Sequence, residues 1–195
     1  MNNIRYASIR SLDVSNGENV GVSLFVQGCN FKCKNCFNSE TWDFNGGKEW
    51  TEEVKKQFLE LAARPYIKRI SILGGEPLAD ENLDGILNLV NEIRLSFGDT
   101  KTIWIYSGYT WNDVFTTEHM KKDENEFLTW NKRAEIISKC NILVDGQYID
   151  SQRDITLKWK GSANQRVIDV QKSLQQNKII LIKKAGDNNI ILFNK

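Results

Sequence analysis

Cys29, Cys33 and Cys36 fall within eight residues and form the densest group of metal-ligating side chains in the chain. In a reducing compartment, thiolates this close together read as ligands for a soft metal or an iron–sulfur cluster rather than as disulfide partners. A structural zinc site asks for four protein ligands, and the local group supplies three. A fourth would have to come from Cys140 or from the single histidine, His119, and neither has zinc-finger spacing. One histidine also excludes every two- or three-histidine metal site within one chain. A four-iron cluster held by three cysteines leaves one iron without a protein ligand, free to take a small molecule. Zinc and iron–sulfur both remain open on the cysteines alone.

The surrounding sequence indicates what must position those cysteines. Residues 20–26 are apolar and end in Gln27-Gly28, which predicts a buried strand running into the cysteine loop. Thr51 is an N-cap candidate followed by Glu52 and Glu53, and Val54, Phe58, Leu61 and Ala62 lie on one helical face until Arg64-Pro65 stops the run. A second strand is predicted over 67–73 and runs into Gly74-Gly75-Glu76-Pro77. A helix follows over 82–97, with an apolar stripe of Leu83, Ile86, Leu87, Val90 and Ile93. A third strand over 102–106 leads to Ser107-Gly108, and a fourth over 141–144 leads to Asp145-Gly146. Residues 116–131 are polar and charged and read as a surface insertion, with a helix resuming near 132–139. Residues 179–182 and 190–193 flank Gly186-Asp187-Asn188-Asn189, a hairpin signal.

Strands alternating with helices imply right-handed crossovers and a parallel sheet. Each chemistry-bearing group follows a strand end, where parallel α/β folds bind ligands, so the four groups describe one site. The expected architecture is an α/β fold with a mostly parallel sheet forming an incomplete β/α barrel, because 195 residues are few for eight β/α units. One domain is expected over 1–195, with its core at about 20–170 and a hairpin-like extension at about 175–195. Lys plus Arg is 26 against 25 for Asp plus Glu, so this is no polycation and nucleic acid is not an expected partner. No apolar run approaches the ~20 residues of a membrane span, and the first ten residues lack a signal-peptide core. A cytoplasmic protein with no membrane partner is expected.

The run Gly28-Cys29-Asn30-Phe31-Lys32-Cys33-Lys34-Asn35-Cys36 has the spacing C-x3-C-x2-C, and GGEP follows the next predicted strand. Together they resemble the radical S-adenosylmethionine superfamily. Adding GGEPL, ILVDGQY, an Arg-Asp pair and KGSANQRVIDV, the sequence from 21 to 170 is similar to the anaerobic (class III) ribonucleoside-triphosphate reductase activating proteins, which are glycyl-radical-enzyme activases. The segment 161–170 is the most telling, because related activases lack it. The resemblance implies a radical SAM type of partial barrel and a 4Fe-4S cluster on Cys29, Cys33 and Cys36. It implies S-adenosylmethionine (SAM) chelating the fourth iron, and an electron from reduced flavodoxin or a similar donor. SAM would be cleaved to methionine and a 5′-deoxyadenosyl radical, which takes hydrogen from a glycine Cα of the large reductase subunit.

The same resemblance implies cofactor contacts at Asn35, Cys36, Phe37, Gly74, Gly75, Glu76, Pro77, Ser107, Gly108 and Asp145, with no protein catalytic group beyond cluster and SAM. Glu76 would accept from the SAM ammonium. Many radical SAM enzymes carry an aromatic residue just before the third cysteine. Here that position is Asn35, with Phe37 after the cysteine. Each assignment has a plainer counterpart: a strand–helix turn for Gly74-Gly75, a simple turn for Ser107-Gly108, a turn aspartate for Asp145. Arg166, with Asn164 and Gln165, could contact SAM, contact the partner, or serve as a cap. Lys32 and Lys34 could attract an acidic donor or only be solvated. Cys140 reads as a small buried hydrophobe. Two other functions remain: a radical SAM enzyme acting on a small molecule, and a non-catalytic iron–sulfur or zinc module.

Overall fold

The computed structural model describes residues 4–116 and 123–182. Seven strands form one sheet: β1 (Arg5–Asp13), β2 (Gly21–Val26), β3 (Lys48–Glu49), β4 (Arg69–Gly74), β5 (Thr102–Ser107), β6 (Ile142–Asp145) and β7 (Arg166–Asp169). Their order is β3-β1-β2-β4-β5-β6-β7, an open sheet. The centre, β2-β4-β5-β6, is parallel, whereas β1 and β3 on one side and β7 on the other pair antiparallel. The sheet is therefore mixed, with a parallel centre where a mostly parallel sheet is expected.

The pleat separates two faces. Val22, Leu24, Ile70, Ile72, Ile103, Ile105 and Leu143 share one core with Phe58, Ala62, Ile86, Val90, Ile93, Ile136 and Ile137. Those partners lie on α1 (Glu52–Ala63), α2 (Leu83–Phe97) and α4 (Glu124–Ser138), so the helices cover this face. The opposite face carries a smaller cluster of Trp104, Ile142 and Val144 with Tyr106, Trp159 and Val167.

Helix α1 begins as its sequence requires: the Thr51 hydroxyl accepts from the Val54 amide at 3.3 Å, and the chain leaves the helix at Arg64, before Pro65. Helix α4 starts at Glu124, eight residues before the expected 132, because the Asp123 side chain accepts from the Glu126 amide and caps a first turn already rich in acid. Much of the expected polar insertion is therefore helix. Residues 117–122, with His119, lie outside the described residues. The short helices α3 (Trp111–Phe115) and α5 (Val170–Gln176) and strands β1, β3 and β7 have no counterpart in the sequence-based expectation. Of the expected tail hairpin, Leu181 bridges Ile168 antiparallel, and 183–195 lie outside the described residues. No described helix is long and apolar enough to cross a membrane.

Candidate active site

The parallel strands end together: Val26 is level with Gly74, and Ser107 with Asp145. The four loops leaving them surround a cavity of about 590 Å³. Cys29, Cys33 and Cys36 line it together with Gly74, Gly75, Glu76, Ser107 and Gly108. Phe37 lines it as well, but Asn35, Pro77 and Asp145 are not among its lining residues. Residues without a sequence-based role also face it, among them Phe31, Asn38, Trp42, Tyr106, Tyr148 and Trp159.

The cysteine loop is built tightly. Lys32 and Asn35 take left-handed backbone conformations, at φ 47° and 54°, which fold the loop back between the cysteines. The Cys29 amide donates to the Trp42 carbonyl at 3.1 Å and the Gly28 amide to Thr41 at 2.8 Å, fixing the start of the loop. All three thiols are free and half-buried. Burial pushes the Cys29 and Cys33 thiols above their ordinary value, and neighbouring thiolate charge and Glu76 add to the rise. Binding a metal or cluster there would release protons.

The GGEP loop lies against the cysteine loop. Gly74 sits at φ +110°, and a Cβ on Gly75 would come within 2.4 Å of the Gly28 carbonyl oxygen. These glycines therefore let two backbones touch. The Glu76 amide donates to that same Gly28 carbonyl at 2.7 Å, and the buried Asn82 amide group donates to the carbonyls of Gln27 and Glu76. The Glu76 side chain is buried, and both its oxygens are engaged. Oε1 accepts from the Leu78 amide and the Ser107 hydroxyl, each at 2.8 Å, and Oε2 accepts from the Gly108 amide at 2.7 Å. Burial pushes its carboxyl up to about 7, against the Gly108, Leu78 and Ser107 donors and the Arg133 charge, which favour the anion. Glu76 thus ties the loop after β4 to the loop after β5.

Asp145 makes a similar tie at the end of the next strand. Its carboxylate is buried and takes both arms of Arg166, Nε at 2.9 Å and an Nη at 2.5 Å, and also accepts from the Trp111 amide at 2.7 Å. That joins β6, β7 and the start of α3. Residues 146–165 form a strap that supplies the wall facing the cysteines. Gln165 closes the strap on itself: its Oε1 accepts from the Gly161 and Ser162 amides, and its Nε2 donates to the Gly146 carbonyl. Asn164 donates to the Gln147 carbonyl at 2.8 Å. The segment 161–170 therefore uses Asn164, Gln165 and Arg166 to build the wall, and no sequence signal names these partners.

The donor set suits an iron–sulfur cluster. Among the described residues no group of three or more His, Cys, Asp or Glu side chains is arranged to hold one metal ion. A four-iron cluster sets a different requirement, because each thiolate takes its own iron. Three free thiols facing one roomy cavity suit it, and Cys140 does not join them. Cys140 is fully buried, donates to the Ile136 carbonyl, and its thiol is pushed up to about 12 by burial. The Trp42 indole N–H and the Tyr106 hydroxyl are buried with no partner among the described residues; both side chains line the cavity, and the Tyr106 hydroxyl lies toward Arg69 and Asp13.

Comparison with known proteins agrees with this chemistry. Residues 15–168 match the model of the family described as a 4Fe-4S single cluster domain. A Vibrio cholerae protein is 32% identical over 164 residues, covering 83% of this chain and 96% of its own length. Proteins of Escherichia coli K12 and Enterobacteria phage T4 are 31% and 30% identical over 166 residues, covering 84% of this chain and 97% and 93% of their own lengths. All three carry the name anaerobic ribonucleoside-triphosphate reductase-activating protein. With that likeness spanning the cysteine loop, the GGEP loop and the strap, this chain belongs to the family of anaerobic ribonucleoside-triphosphate reductase-activating proteins and carries its 4Fe-4S domain.

Proposed function

We propose that this chain activates an anaerobic ribonucleoside-triphosphate reductase by generating a glycyl radical on its large subunit, as a radical SAM enzyme. The observation that carries the reading is the convergence of three free thiols and the GGEP and Ser107-Gly108 loops on one cavity at the ends of the parallel strands. When bound, the cluster supplies one electron that splits SAM into methionine and a 5′-deoxyadenosyl radical, which takes a hydrogen atom from a glycine Cα.

The chain's own residues prepare the place for this. Cys29, Cys33 and Cys36 would hold three irons from one loop. Glu76 fixes the Ser107-Gly108 loop beside the cysteine loop, so the two can grip one ligand without ordering first. Phe25, Phe31, Leu73 and Trp159 give the cavity an apolar part that a ligand's carbon skeleton could pack on, and closure against the partner would complete the exclusion of water. Flavodoxin or a similar reduced carrier is the proposed electron source, with Lys32 and Lys34 exposed beside the cysteines.

The test is anaerobic reconstitution with iron and sulfide, followed by reaction with SAM, a reductant and a cognate reductase deuterated at the target glycine Cα. The expected result is a glycyl signal in electron paramagnetic resonance and deuterium in 5′-deoxyadenosine. No transfer to an authenticated partner, with efficient turnover of a small molecule, would assign the chain to small-molecule radical chemistry instead.

A further inference from the structure

The cysteine loop and the strap meet in a ring of five side chains that the chemistry above does not use. Asn35 lies between Cys33 and Cys36 and donates from Nδ2 to Asp150 Oδ2 at 2.8 Å. Asp150 Oδ1 accepts from the Tyr148 hydroxyl at 3.0 Å. The Tyr148 ring packs on Phe37, with centroids 5.1 Å apart, and the Arg153 guanidinium sits 5.0 Å from the Phe37 ring centre. Asn35 and Phe37 thus flank Cys36 on both sides, and both reach across to residues 148–153 of the strap. Asn35 and Asp150 are 115 residues apart in sequence, so this contact is set by tertiary structure.

We propose that Asn35 and Asp150 are positioning residues whose hydrogen bond latches the cysteine loop to the strap, holding Cys33 and Cys36 at working distance from the wall that faces them. The inference rests on the cluster reading for its consequence, though not for its geometry. It accounts for the polar residue at a position where an aromatic one would face the ligand: the Asn35 side chain points out of the cavity and into the strap. It also gives Phe37 a task on the rim, as the platform on which Tyr148 and Arg153 close. A simpler account is that asparagine is present only because it tolerates the left-handed backbone at φ 54°. The two accounts separate experimentally, because glycine tolerates that backbone better and makes no hydrogen bond.

The experiment uses the full chain as wild type, Asn35→Gly, Asn35→Asp, Asp150→Asn and the exchange Asn35→Asp with Asp150→Asn. Asn35→Asp sets two carboxylates against each other. The exchange restores a donor–acceptor pair with its direction reversed, and leaves the Asp150→Asn side-chain oxygen to accept from Tyr148. Two readouts are taken: hydrogen exchange of residues 147–165 in iron-free protein, and iron release to a chelator from anaerobically reconstituted protein. Losing one hydrogen bond predicts a change of about three- to tenfold in both rates for Asn35→Gly and Asn35→Asp. The exchange variant is expected to return to within about twofold of wild type. Unchanged rates in Asn35→Gly, or an exchange variant as impaired as its two single changes combined, would overturn the latch. A wild-type chain that binds no iron would defeat the cluster reading, while strap exchange in the iron-free protein would still decide the latch.

Discussion

The two ends of the parallel strands are finished in opposite ways. At the N-terminal end Arg69 opens β4 with its side chain fully buried. It donates to the Asp13 carbonyl at 2.7 Å, to Asp13 Oδ1 at 3.1 Å, to the carbonyls of Asn16 and Glu18, and to the Ser71 hydroxyl. The loop between β1 and β2 wraps this guanidinium and shuts that end. At the C-terminal end the buried charges, Glu76 and Asp145, are equally well partnered, whereas the three thiols take only weak backbone contacts, such as the Asn38 amide donating to Cys36 Sγ at 3.4 Å. Polar groups build both ends, and at the open one three half-buried free thiols are added to them. The lesson is that burial and charge do not mark this site. The mark is three thiols gathered on one cavity.

The largest expected effect is at the open end. Changing Cys29, Cys33 or Cys36 to alanine is expected to abolish iron binding and SAM cleavage outright, measured by iron content and 5′-deoxyadenosine after anaerobic reconstitution. A variant that kept a full cluster would mean that the thiols at this end are not all ligands. Next comes the closed end. Arg69→Met takes the buried guanidinium from Asp13, which keeps its Ser15 and Asn16 donors and the more distant Arg10, and withdraws its hydrogen bonds from the Asn16 and Glu18 carbonyls, which together should cost about 3–5 kcal/mol in urea unfolding of iron-free protein. A loss under about 1 kcal/mol would show that the β1–β2 loop closes without its guanidinium.

Much of this contrast was legible in the sequence, and the rest was hidden for physical reasons. Strands β2, β4, β5 and β6 are short apolar runs ending in glycine or polar turns, and α1 and α2 keep a clean helical stripe, so the parallel centre and the common strand-end site could be expected. Strand β1 could not, because two register shifts, at Tyr6/Ser8 and Arg10/Asp13, break the alternation that identifies a strand. The first half of α4 is too polar for a stripe to show, and only Ile136 and Ile137, near its end, are buried. The motifs located Glu76 and Asp145 at strand ends. What their carboxylates hold lies 31 residues on at Ser107 and 21 residues on at Arg166, and no local pattern carries that.

A smaller effect comes from the carboxylates at the two ends, which should respond to pH in opposite directions. Burial pushes Glu76 from its ordinary 4.5 up to about 7, so the folded protein holds this proton more tightly than the unfolded chain. Its contribution is complete below pH 4.5 and is lost as pH rises through about 7, on the order of 3 kcal/mol in all. For Asp13, burial works upward, but hydrogen bonds from Asn16, Arg69 and Ser15 outweigh it and hold the carboxyl below its usual range. Its contribution is present above the unfolded value and disappears as pH falls through the folded one. Glu76→Gln should therefore flatten the decline between about pH 4.5 and 7 in iron-free protein, and leave the acid limb in place. An unaltered profile would remove Glu76 as the source of that slope.

The smallest effect isolates the fourth sulfur, which sits at the closed end. Cys140 immediately precedes Asn141 and β6, is fully buried, and belongs to the core on the helix-covered face. Its thiol is pushed up to about 12 by burial, so thiolate is scarce at neutral pH and an alkylating reagent cannot reach it without unfolding. Replacing it with alanine removes one sulfur's worth of packing and one weak hydrogen bond to Ile136, about 1 kcal/mol. Iron content and SAM cleavage should be unchanged. In the iron-free folded protein, alkylation should count three thiols, rising to four only in denaturant. A fourth fast-reacting thiol in the native chain, or iron loss in Cys140→Ala, would mean that the two ends of the sheet share their sulfur chemistry and that the division drawn between them is wrong.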